Sequence, residues 1–186
     1  MKKLNLIALL ALFCVAVQAQ DVKFSPVDAS PADILYFPLK ATFVKKGDPS
    51  IPVIKVVYSR PAKKGREIFG ALEPFGKVYR LGANESTEIK FTKEVKVGDK
   101  AVPAGTYSLF AIPEKDKWVI IVNKQTDRWG AYTYDMSMDV ARVEVPVKPL
   151  TTVVESLSMT FTPLPSGANL VIGWDKTSVE VPITFN

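Results

Sequence analysis

From residue 53 onward the chain is a succession of short apolar runs, rich in Val, Ile, Thr and aromatic residues and separated by Gly, Pro, Asp and Asn. Such residues suit a pleated, half-buried surface. The runs at 53–58, 87–91, 106–112, 118–123, 141–147, 152–162, 168–174 and 178–185 therefore predict β-strands. In the last two the alternation is plain: Leu170, Ile172 and Trp174 interleave with Val171 and Gly173, and Val179, Val181 and Ile183 alternate with polar partners. The spacing predicts a hairpin there, turning at 175–177, with one face buried. Turn chemistry separates the other runs: Gly98-Asp99 lies between two short apolar stretches, and further turns fall at 103–105, 114–117 and 163–167. Helical periodicity is absent beyond single turns at 67–72 and 128–132.

Regularly spaced short strands predict an all-β, antiparallel β-sandwich, jelly-roll-like, of about eight to ten strands, with a closed β-barrel as the alternative. The strand-rich part, 51–186, reads as one domain. Ahead of it, 20–50 is irregular: Pro26, Pro31, Pro38 and Pro49 break any long element. That segment is expected to pack on the domain, with 34–37 and 41–44 as short edge strands.

Residues 1–19 have a different pattern. Lys2 and Lys3 precede an apolar run from Leu6 to Val17, and Val17-Gln18-Ala19 supplies small residues at the positions a signal peptidase reads. This predicts an export signal cleaved after Ala19 and a periplasmic, cell-envelope or extracellular location. The apolar run is shorter than the about 20 residues a membrane span needs, so no span is expected. Bulky Phe13 before Cys14 argues against lipidation.

Composition sharpens the picture mainly by exclusion. Removing 19 of the 186 residues leaves 167, deletes the only cysteine and lowers the formal charge from +5 to +3. The chain has no histidine. A mature chain without imidazole or thiol has neither the base of serine hydrolases nor the nucleophile of papain-like enzymes. Zinc and copper sites lose their usual ligands, and no calcium-loop motif occurs, so neither metal nor cofactor is expected. The mild charge, with basic and acidic residues alternating, argues against nucleic acid. Carboxylate, Tyr, Lys and Arg chemistry remains, the groups on which glycosidases and polysaccharide lyases run.

Residues 58–90 hold the densest mixture of charges and aromatics. Here Tyr58, Arg60, Arg66, Arg80, Asn84 and Glu85 are candidate ligand-binding residues, the arginine forks suited to a carboxylate, sulfate or phosphate and Asn84 and Glu85 to hydroxyls or amides. The competing reading, which is favoured, is structural: Arg80 pairs with Glu85, or Arg66 with Glu88, to tie a long excursion onto the sheet. Residues 82–85 predict a tight turn that presents its side chains beside Arg80, because Asn84 tolerates left-handed backbone geometry and Gly82 can take positive φ. Trp129 and Tyr132 follow a polar connection and are candidates for stacking on a sugar, against a favoured reading of core packing. Trp118 and Trp174 sit inside apolar alternations and read as core.

The segments YSRP at 58–61, KGREIFG at 64–70, PFGKVYRLGANESTEI at 74–89, PAGTYSLF at 103–110, and the elements around Trp118, Asn123-Lys124 and Trp129-Gly130 resemble the family called domain of unknown function 2911. The likeness runs from about residue 25 to the closing WDKTSVEVPI. The family usually carries Trp where this chain has Tyr79, and Ala or Thr near Ser86. The resemblance implies a secreted, bacterial, β-rich protein and supplies no catalytic residues.

The function expected is that of an exported, non-enzymatic envelope protein that binds a small molecule, a glycan or an envelope protein, or serves structurally. The alternative is an enzyme acting on an acidic glycan, a glycosidase or lyase, with Glu85 as acid or base, Arg80 and Arg60 as charge neutralisers and Tyr58 or Tyr79 assisting.

Overall fold

A computed structural model describes residues 21–41 and 51–185. The expected signal, its cleavage site and most of the strand expected at 41–44 lie outside the described residues. Among the described residues nine strands form: β1 (Ala32–Phe37), β2 (Ile54–Ser59), β3 (Thr87–Phe91), β4 (Val95–Val97), β5 (Lys100–Val102), β6 (Gly105–Pro113), β7 (Lys117–Asn123), β8 (Asp139–Leu164) and β9 (Gly167–Thr184). They hydrogen-bond in the order β1-β2-β3-β6-β7-β8-β9-β4-β5, and every pairing is antiparallel. The fold is all-β, as the alternation predicts. β1 is an edge strand within the Pro-rich segment, so that segment is joined to the sheet by a ladder rather than only packed against it.

β8 makes the fold two-layered. Residues 139–146 pair with β7, whereas β8 from Val147 onward pairs with β9. The register slips between Pro149 and Val154 and again before Ser158, and opposite these slips Asp175 takes φ of 55°. Unpaired residues of this kind bend a strand and raise its twist. The nine-stranded sheet therefore turns back on itself, bringing Ile54, Val56, Ile89 and Phe91 into one buried cluster with Phe161 and Trp174. Phe37 of β1 meets Phe161 of β8 edge-on at 5.5 Å between ring centres.

Three expectations are corrected here. The runs at 141–147 and 152–162 are a single strand, and so are 168–174 and 178–185. Asp175 is a bulge residue inside β9 rather than part of a hairpin turn, because β8 offers it a continuous partner across the bend. The real hairpin between these strands turns after Leu164, which pairs with Gly167. The barrel alternative also falls: β1 and β5 remain edges. The layers are instead tied at one margin, where Ala62 bridges to Ser156 and the Leu157 N–H donates to the Pro61 carbonyl. At the predicted Gly98-Asp99 turn, Gly98 has φ of +59° and a Cβ there would lie 2.7 Å from Val143, so both backbone and packing require glycine.

Candidate functional site

The excursion between β2 and β3 is held down by cations from its first half. Arg60 donates from Nε to the Leu157 carbonyl (3.1 Å), from one terminal nitrogen to Asp33 (3.1 Å) and from the other to Ser158 Oγ (2.8 Å). Its guanidinium thus joins β1, β2 and β8. Tyr58 is buried, with its hydroxyl accepting the Met159 N–H at 3.1 Å. Lys63 pairs with Asp175 at 3.0 Å, holding the excursion to the β9 bulge. Arg66 spends its Nε and a terminal nitrogen on the carbonyls of Lys63 and Ala62, closing its own loop. The structural ties are therefore real, but they are not the pairs the sequence suggests. Arg80 forms no ion pair with Glu85, nor Arg66 with Glu88, among the described residues. Arg60 and Lys63 instead take partners delivered by distant strands.

The reversal at 81–86 also differs in detail. Asn84 takes the left-handed backbone expected of it (φ 60°), but the second positive φ falls on Leu81 (53°) rather than on Gly82. Gly82 is needed for proximity, since a Cβ there would lie 3.3 Å from the Ser59 carbonyl oxygen. Thr87 closes the loop, donating its N–H to the Arg80 carbonyl at 3.1 Å and its hydroxyl to the Leu81 carbonyl at 2.7 Å.

The far side of this loop meets the connection between β7 and β8. Glu85 and Trp129 form an isolated antiparallel bridge. Beside it the Gly130 N–H donates to the Asn84 carbonyl (2.9 Å), and the Ser86 N–H (2.9 Å) and hydroxyl (3.1 Å) both donate to the Arg128 carbonyl. Directly opposed residues of an antiparallel pair send their side chains to one side. Glu85 is exposed and Trp129 is 61% exposed, so both meet solvent there. Tyr132, at 84%, packs its ring against Gly130, whose φ is +64° and where a Cβ would come within 2.9 Å of that ring. The core reading of Trp129 and Tyr132 is thus corrected: their backbone is bonded down while their rings stay out. A small cleft of about 60 Å³ runs from Glu85 and Ser86 to Tyr58 and Ser59.

The connection is braced from behind. Asp139 receives Asn123 Nδ2 (2.8 Å) on one oxygen and the Tyr134 hydroxyl (2.6 Å) and Arg142 (2.8 Å) on the other. Burial and the carboxylate beside it push the Tyr134 phenol up to about 12. Its ring lies edge-on to Phe110 at 5.2 Å. Nothing in local spacing marks this brace, because its members come from three separate segments.

Candidates therefore divide. Glu85 and Trp129 come together on one surface with Tyr132 beside them, Asn84 is bonded to Gly130 through its backbone carbonyl, and Tyr58 lines the adjoining cleft. Arg60 and Arg66 are spent on structure. Arg80 lies within electrostatic reach of Glu73, a half-buried residue that the sequence reading does not single out. Burial pushes the Glu73 carboxyl up to about 7 despite the pull of Arg80 and Arg66. Its flanks, Leu72 and Pro74, are the one local hint of an apolar setting. A wider depression of about 400 Å³ between β8 and β9 holds Glu144, Lys148 and Glu180. Lys148 and Glu180 pair at 2.8 Å, and Glu144 pairs with Lys117 at 2.8 Å. Among the described residues no group of three or more acidic, His or Cys side chains is placed to hold a metal ion.

Fold and surface together define an all-β protein of two facing layers with an exposed aromatic platform at one end. The chain belongs to the family described as Protein of unknown function (DUF2911), whose model matches residues 42–183. No curated protein and no solved structure matches it.

Proposed function

We propose that this is an exported, non-enzymatic binding protein of the periplasm or cell envelope, and that its ligand is a glycan taken up on the Trp129 platform. The observation that carries the reading is the opposition of Glu85 and Trp129. A flat ring stacks on the apolar face of a sugar, while a carboxylate at its margin bonds the hydroxyls. A platform bonded through its backbone also loses little freedom on binding, which favours affinity. Export rests on the charged start, apolar run and small-residue site of residues 1–19.

Isothermal titration of the exported protein against soluble envelope oligosaccharides tests the ligand. Saturable binding that Trp129→Ala abolishes supports it, and binding untouched by that change overturns it. Mass spectrometry of the exported chain tests export, with Gln20 as the expected first residue. The enzymatic alternative loses one of its charge neutralisers, because Arg60 is engaged with Asp33, Leu157 and Ser158. Glycan turnover that survives rigorous purification and disappears in Glu85→Gln would restore it.

A further inference from the structure

The outer face of β2 and β3 carries charge that the platform does not use. Ile54, Val56, Ile89 and Phe91 are buried in the core, so the residues alternating with them, Lys55, Val57, Glu88 and Lys90, face outward. On that face the register sets Lys55 of β2 directly opposite Lys90 of β3, and Lys90 opposite Thr106 of β6. Like charges directly opposed across an antiparallel pair repel. Among the described residues no other directly opposed pair carries two of them. Neither lysine forms an ion pair among the described residues. The carboxylate that shares their face is Glu88, and one of its oxygens already accepts the Asp127 N–H at 3.1 Å.

Lys55, Val57, Glu88, Lys90 and Thr106 surround a cleft of about 120 Å³. Val57 and Glu88 also line the cleft of about 60 Å³ that starts at Glu85 and Ser86. The two clefts are therefore one groove along the outer faces of β2 and β3, with the Glu85–Trp129 bridge at one end and the lysine pair at the other. A strand rise of ~3.3 Å per residue puts Lys90 about 17 Å along the chain from Glu85, beyond the reach of a single sugar. We propose that Lys55 and Lys90 form the anion subsite of this groove, so that the glycan taken up on the Trp129 platform is an acidic oligosaccharide bearing a carboxylate or sulfate group. The sugar in this proposal rests on the platform reading, and the charge rests on the lysine pair.

An ammonium group donates and cannot accept, so two of them opposed across a cleft call for an acceptor-rich guest. A bound oxyanion also relieves the repulsion that folding leaves between them, a gain that a lone surface lysine does not have. The Thr106 hydroxyl adds a donor beside Lys90. Glu88 works against the anion, and its bond to the Asp127 amide offsets only part of its charge. With a carboxylate at the platform end and two ammonium groups at the other, the groove gives the oligosaccharide a direction: its acidic group lies away from Trp129. Contacts of this exposed kind are worth about two- to fivefold in affinity for each ammonium.

The test is isothermal titration of the exported chain at low ionic strength with oligogalacturonate, its methyl ester and a carrageenan oligosaccharide, which carry carboxylate, no charge and sulfate. Saturable binding tighter than that of the ester is expected in at least one acidic arm; oligogalacturonate alone identifies a carboxylate ligand, the carrageenan alone a sulfate ester, and both the shared chemistry. Lys55→Gln and Lys90→Gln should each weaken acid binding about two- to fivefold and the double change about tenfold, leaving the ester as it was. Each change removes a repulsion, so the urea midpoint should hold or rise. Glu88→Gln keeps an acceptor for the Asp127 amide and should strengthen acid binding. Absence of saturable binding in both acidic arms, or a preference for acid over ester that survives the double change, overturns the lysine site. Ester binding that needs Trp129, without any preference for acid, removes this site and keeps the platform; acid binding that needs the lysines but not Trp129 keeps the site and removes the platform.

Discussion

Glu85 and Trp129 face each other across an antiparallel bridge that joins the loop before β3 to the connection before β8. The bridge is flanked by the Gly130 N–H bond to the Asn84 carbonyl, and it leaves both side chains in solvent. A large ring held out on a bonded backbone has more to do with recognition than with stability. Trp129→Ala should therefore change unfolding free energy by no more than about 0.5 kcal/mol, as exposed substitutions do. It should nevertheless abolish oligosaccharide binding. Chemical denaturation alongside titration checks the two halves of the expectation.

The brace behind the platform should matter to both. The Asp139 side chain is 7% exposed and takes three donors, among them the Arg142 cation. Replacing it with alanine leaves Arg142 and Asn123 short of an acceptor, at a cost of about 2–4 kcal/mol. Hydrogen exchange over 124–138 should accelerate, while the amides of β2 and β3 change less.

Glu73 predicts a stability profile with a definite sign. Burial raises its carboxyl from the ordinary 4.5 to about 7, so the folded chain holds a proton that the unfolded chain releases. That contribution is fully present below about pH 4.5 and is lost as pH rises through 7. Partial exposure screens it, leaving about 1–2 kcal/mol between pH 5 and pH 8. Glu73→Gln should flatten the profile by that amount in urea titrations at the two pH values.

Arg60 separates a surface charge from buried hydrogen bonds. Its pair with Asp33 is more than a third exposed on both sides, so Asp33→Asn should cost no more than about 1 kcal/mol. Arg60→Ala also strips the Leu157 carbonyl and Ser158 of their donors and should cost about 1–3 kcal/mol. Thermal unfolding of the two variants and their double mutant measures the difference.

Gly98→Ala should be worse than either. The residue would hold a positive φ and press against Val143, two penalties that together approach about 2–4 kcal/mol. A lowered denaturation midpoint with an unchanged slope is the expected signature.

The sequence by itself determined the strands and their antiparallel class, because a side chain's alternation along a strand is a local property that needs no partner. Residues 87–91 are read from the pattern with the same bounds that β3 takes, and Trp118 and Trp174 are read as core and found buried. It also brought Trp129, Tyr132, Asn84 and Glu85 forward as candidates by residue type. What only the tertiary structure decided is which of these meet. The fusion of four runs into β8 and β9 depends on a bend whose two strands support one another, and a propensity read along one segment does not contain it. The pairing of Arg60 with Asp33, and of Lys63 with Asp175, depends on which strands the sheet lays side by side. Electrostatic attraction acts through space, so the nearest carboxylate along the chain has no claim on Arg80. Exposure of Trp129 was decided the same way: a tryptophan is buried only where a neighbouring layer covers it, and here the bonds run through its backbone instead.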